Sequence, residues 1–120
     1  MLSGLRMYLK VAWNCKTPLV FLLDKEYRQI SSETLQEIAG LIKERFDYIA
    51  DVSDCDDASL LFKAAASERH ENGVGLVFGK TPRGMHAWNV AFCPDGISEV
   101  EPQTAAIGKR KGYKPWVVII

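Results

Sequence analysis

The strongest constraint on what this 120-residue chain can fold into is a change of hydrophobic period near Asn72-Gly73. Before that point apolar residues recur at steps of three and four, and after it they come in short runs separated by glycine- or proline-bearing turns. Over 31–46, Leu35, Ile38, Leu41, Ile42 and Phe46 form one stripe with Glu33, Glu37, Lys43 and Glu44 elsewhere, which predicts an amphipathic helix starting at Ser31 or Ser32. A second helix is predicted from Ser53 or Asp54, where Ser53-x-x-Asp56 can form a capping box and Leu60, Leu61, Ala64 and Ala65 supply the stripe. The later runs predict strands over 74–78, 85–93, 97–103 and 116–120, and the run 19–23 reads as a further buried strand. Helices followed by a sheet imply an α+β fold, with N-terminal helices packed on a small antiparallel sheet in a single domain spanning 1–120.

Charge excludes one class of partner. Fifteen basic and fifteen acidic residues cancel, so no global field holds a polyanion, and the cluster Lys109, Arg110, Lys111 and Lys114 reads as a solvated loop. Nucleic acid is not expected. No stretch approaches the roughly 18 apolar residues of a membrane span, and 1–10 lacks a secretory signal, so a cytoplasmic chain without membrane contact is expected. Cys15, Cys55 and Cys93 are too few and too unevenly spaced for a disulfide framework, and no C-x-x-C pair suggests zinc.

Of the three thiols, Cys55 falls where chemistry is easiest. The first turn of a helix has unpaired N–H groups and the positive end of the dipole, both of which favour a thiolate. Asp54, Asp56 and Asp57 around it cap the helix, oppose the thiolate if they face it, or offer oxygens to a hard cation. His86 opens a predicted strand after Thr81-Pro82-Arg83-Gly84, a position from which an imidazole can overhang a helix start, and with Cys55 it gives a nucleophile–base layout. His70, beside Glu71 at a helix end, reads as solvated. If Asp95-Gly96 makes a two-residue hairpin turn, Val90 faces Glu101 and Trp88 faces Gln103, and Gln103 is then the residue diagonal to His86.

Three segments occur in order: Asp54-Cys55-Asp56-Asp57-Ala58, Gly84-Met85-His86-Ala87-Trp88-Asn89 and Glu101-Pro102-Gln103-Thr104. Together they resemble the papain-like cysteine protease domain of mushroom agglutinins of the Marasmius type and its bacterial and phage relatives. That resemblance implies a papain-like fold with Cys55 as nucleophile, His86 as base and Glu101 as the residue orienting it. It also implies calcium near Asp56 and Asp57. The lectin module of those agglutinins has no counterpart here, nor does the glutamine that precedes the cysteine in papain-like enzymes. The resulting expectation is a cysteine hydrolase cleaving a peptide or isopeptide bond, with a non-catalytic accessory or binding module of the same fold as the alternative.

Overall fold

The computed structural model describes residues 1–109 and 111–120. In chain order the elements are β1 (Leu2–Ser3), α1 (Gly4–Cys15), β2 (Val20–Phe21), β3 (Glu26–Tyr27), α2 (Ser32–Arg45), α3 (Cys55–Glu68), β4 (Val74–Thr81), β5 (Gly84–Cys93), β6 (Gly96–Glu101), β7 (Ala106–Ile107) and β8 (Lys114–Ile119). Strands β1 and β3 form a two-stranded ribbon, and the other six form one sheet in the order β2-β8-β4-β5-β6-β7.

Local chemistry explains the predicted helices. In α2 the Ser31 hydroxyl accepts the Thr34 N–H, Glu33 occupies the first turn, and Lys43 and Arg45 occupy the last, complementing the helix dipole at both ends. The second helix begins one residue later than its expected capping box: Asp57 Oδ2 accepts the Asp54 N–H at 3.1 Å, so Asp54-x-x-Asp57 caps α3. That shift makes Cys55 the first residue of the helix.

The first helix was not foreseen. Met7, Val11 and Cys15 repeat every fourth residue and are its buried face, and the Ser3 hydroxyl accepts the Arg6 N–H at its start. Leu5, Met7, Leu9, Val11, Trp13 and Cys15 also fall at every second position, a strand-like alternation that competes with the helical period.

Alternation along the strands divides the core in two. Trp88, Val90, Val77 and Val118 face α1, whereas Val74, Ala91, Cys93 and Val100 face Leu35, Ile38, Phe62 and Ala66 of α2 and α3. The sheet is therefore covered from both sides. Burial pushes the Cys15 thiol up to about 12, so this cysteine acts as a core hydrophobe.

The expected papain-like arrangement, N-terminal helices packed on a small antiparallel sheet, is corrected by this architecture. The sheet is mixed, because 20–21 returns to pair in parallel with 118–119 at the edge, and helices lie on both faces. A parallel edge strand cannot be told from an antiparallel one by periodicity, and the unforeseen α1 is the element that fills the second face.

Strand β4 bends at Phe78/Gly79, where its register with β8 shifts. A Cβ on Gly79 would press on the Lys114 carbonyl and come within 2.9 Å of Trp88 Cη2. Backbone cannot yield as a side-chain tip does, so Gly79→Ala is expected to cost at least about 1–3 kcal/mol. A urea midpoint unchanged from the parent would show that the β4–β8 contact is looser than described.

Candidate functional site

The site forms where β6 departs from β5. Ala87 pairs with Phe78 on β4, but the β5–β6 ladder begins only at Asn89↔Val100, so the far side of Ala87 is open. The start of α3 fills that opening, and the Ala87 N–H donates to the half-buried Cys55 sulfur. Asn89, two residues on, ties the same helix to the sheet by donating from Nδ2 to the Ser59 and Gly75 carbonyls, each at 3.0 Å.

His86 directly precedes Ala87 in the chain and projects to the other face of the strand. Its Nε2 lies 2.6 Å from Glu101 Oε2, and the Glu101 side chain is only 4% exposed. Glu101 is itself held: Oε2 also accepts the Tyr113 hydroxyl at 3.1 Å, and Oε1 accepts the Gln103 N–H at 3.3 Å. Trp88 stacks beside the imidazole with centroids 6.0 Å apart, and Tyr113 meets it edge-on at 5.9 Å. A carboxylate on one ring nitrogen fixes orientation and tautomer, and leaves Nδ1 as the nitrogen for proton exchange.

The hairpin turn decides between the two candidate orienting residues. Cys93 pairs with Gly96 and Val90 with Glu99, so the turn is Pro94-Asp95 and the register differs by two residues from that of an Asp95-Gly96 turn. An even shift keeps the face and moves the position diagonal to His86 from Gln103 to Glu101. Gln103 serves through its backbone N–H to Glu101.

Electrostatics work against a resting thiolate. Burial pushes the Cys55 thiol up and the charges of Asp54 and Asp56 add to it, while the Ala87 N–H pulls it down. Asp54 and Asp56 share a hydrogen bond that is the first cause of raising the Asp54 carboxyl and lowering that of Asp56. In Asp56→Asn one opposing charge is gone, so the midpoint of Cys55 alkylation is expected to move to lower pH. The shift should be a fraction of a pH unit and shrink in molar salt, because Asp56 is exposed. A midpoint moving upward would contradict this account.

Ligand oxygens of Asp54 and Asp56 and the Cys55 sulfur lie within 4.8 Å of one another. Of the two aspartates that the resemblance assigned to calcium, Asp56 is exposed and Asp57 spends Oδ2 on the helix cap. These are oxygen donors of the class calcium takes, though far fewer than its usual six to eight.

On the His86 side lies a cleft of about 460 Å³ lined by Thr81, Arg83, Met85, His86, Glu101 and Tyr113, among others. A cavity of about 620 Å³ between α2 and α3 contains none of the site residues. Sequence reasoning missed Trp88 and Tyr113. The first was readable, since alternation puts residue 88 on the face of residue 86, but Tyr113 comes from a loop with no periodic signal.

No family model matches the chain, and no curated protein does. Solved structures do match. One, titled as a PSL1a–E64 complex, superposes with a TM-score of 0.82 at 21% identity, covering 99% of this chain and 51% of that one. Another, Polyporus squamosus lectin bound to the epitope Neu5Aca2-6Galb1-4GlcNAc, gives 0.84 at 18% identity, covering 99% and 49%. This chain thus spans about half the length of the chains it matches, and at such identities the likeness shows the fold alone.

Those matches correct the sequence-based family and reaction. The chains sharing this fold carry a lectin's name, one with a glycan epitope bound, and neither title names a protease. The papain-like protease family, the cysteine hydrolase activity and the peptide substrate give way on that finding. Three short motifs carried the protease assignment, and motifs of that length specify a local geometry without specifying a reaction.

Proposed function

We propose that the chain is a ligand-binding module whose cleft is lined by His86 and Glu101 and adjoins a proton-poised thiol, with Cys55 as the thiol, His86 as its proton acceptor and Glu101 as the residue positioning His86. The supporting observation is the 2.6 Å contact between His86 Nε2 and the buried Glu101, on the strand whose next N–H holds the Cys55 sulfur. Gln103 is a positioning residue through Glu101. Calcium at Asp56 and Asp57 belongs to the same reading, since a cation there would offset the charges that oppose the thiolate. A calcium-dependent rise in melting temperature that Asp56→Asn removes would support it, and no shift at millimolar calcium would count against it.

Two ligands come from the structural neighbours: E64, named with PSL1a, and the sialylated epitope named with the lectin. The epitope makes a carbohydrate the partner class to try in place of a peptide. The test is protection. Iodoacetamide should label Cys55 ahead of the buried Cys15 and Cys93, and a ligand seated in the cleft should slow that labelling. Faster labelling of Cys15 or Cys93, or no protection by either ligand, would sink the proposal.

A further inference from the structure

Helix α1 has a second apolar face that, among the described residues, nothing covers. Met7, Val11 and Cys15 are buried, yet on the opposite side Leu5 is 71% exposed, Leu9 57% and Trp13 88%. At a helical advance of about 100° per residue, Leu5, Leu9 and Trp13 fall within about 80° of one another and form one outward stripe. Exposed apolar residues scattered singly need no explanation, but three aligned on the outermost line of a helix do.

Charge selects the kind of surface that fits. Arg6 and Lys10 flank the stripe on one side, Lys16 follows its end, and Gly4–Cys15 contains no Asp or Glu. Of the acids near the helix, Asp24 accepts from Asn72, Glu26 is held on the β1–β3 ribbon, and Glu99, whose charge reaches Cys15 on the inward face, is buried on β6. An apolar line of leucine and tryptophan bordered by cations is the pattern of a helix lying in the interface of an anionic bilayer, where the rings and leucines enter the acyl boundary and the cations meet headgroups. A docked protein would need an acidic rim set specifically against Arg6 and Lys10, whereas anionic headgroups supply that charge anywhere on the bilayer surface.

We infer that the Leu5, Leu9 and Trp13 stripe of α1 docks the protein peripherally on anionic lipid. No membrane crossing is involved: among the described residues no helix is long and apolar enough to span one. The contact leaves the Cys55 and His86 site free, because that site is built from α3, β5 and β6.

Co-sedimentation of the whole chain with phosphatidylcholine vesicles containing roughly a third phosphatidylserine tests this. Binding is expected there, at least about tenfold weaker on pure phosphatidylcholine, and weakened by molar salt. Leu9→Glu and Trp13→Glu should each abolish it at an unchanged melting temperature, since both side chains point to solvent. A blue shift of tryptophan fluorescence on binding should be larger in the parent than in Trp13→Phe, because Trp88 is already fully buried and Trp116, on β8, is the remaining exposed tryptophan. No binding to anionic vesicles, or undiminished binding by Trp13→Glu, would overturn the inference. So would a dimer in velocity sedimentation that Leu9→Glu dissolves, which would assign the stripe to a second copy of the chain.

Discussion

Trp88→Ala should lower the unfolding free energy by about 3–5 kcal/mol, the range for deleting a large aromatic side chain from a core. Trp88 is fully buried in the α1-side cluster, lies 4.9 Å from Tyr113 between ring centroids, and stacks beside His86. Its removal opens a cavity against Gly79, where only the absence of a side chain lets β4 and β8 approach. The same change frees one side of the imidazole, so Cys55 alkylation should slow even where the variant remains folded. Trp88→Phe should recover most of the stability and most of the rate. Loss of stability with an unchanged rate would show that Trp88 supports the core and leaves His86 alone.

His86→Ala should slow alkylation of Cys55 near neutral pH by at least about tenfold, since a positioned proton acceptor typically contributes more than that. In its absence the thiol keeps the upward push of burial and of Asp54 and Asp56 with no group to take its proton. The rate in the variant should therefore rise only at strongly alkaline pH. Far-ultraviolet dichroism and melting temperature should stay near those of the parent, because the ring is partly exposed and lies outside both core clusters. An identical pH profile in parent and variant would separate the two residues functionally.

Much of this organisation was legible in the sequence, and what was not has identifiable causes. The α2 helix and the long strands β4 and β5 announced themselves because one face of each is polar or bounded by turns, so burial imprinted a clear period. Helix α1 escaped because its apolar residues from Leu5 to Cys15 fall at every second position as a strand's do, and alternate members of that series are the stripe assigned above to lipid. Cys55 and His86 were found by position on their elements, a helix start and a strand start. The choice between Glu101 and Gln103 depended on whether the turn was Pro94-Asp95 or Asp95-Gly96, a difference that short-range signals leave open. The fold failed at a long-range pairing, β2 with β8, which joins residues almost a chain length apart. The reaction failed because local geometry is shared by proteins that do different things with it.

A double-mutant cycle on the rate of Cys55 alkylation asks most directly whether Cys55, His86 and Glu101 act as one unit. If Glu101 works by holding His86 at Nε2, Glu101→Gln should slow labelling in the parent and have no further effect once His86 is alanine. Equal slowing by Glu101→Gln in both backgrounds would contradict the account, because Glu101 would then act on the thiol or the fold without passing through the imidazole.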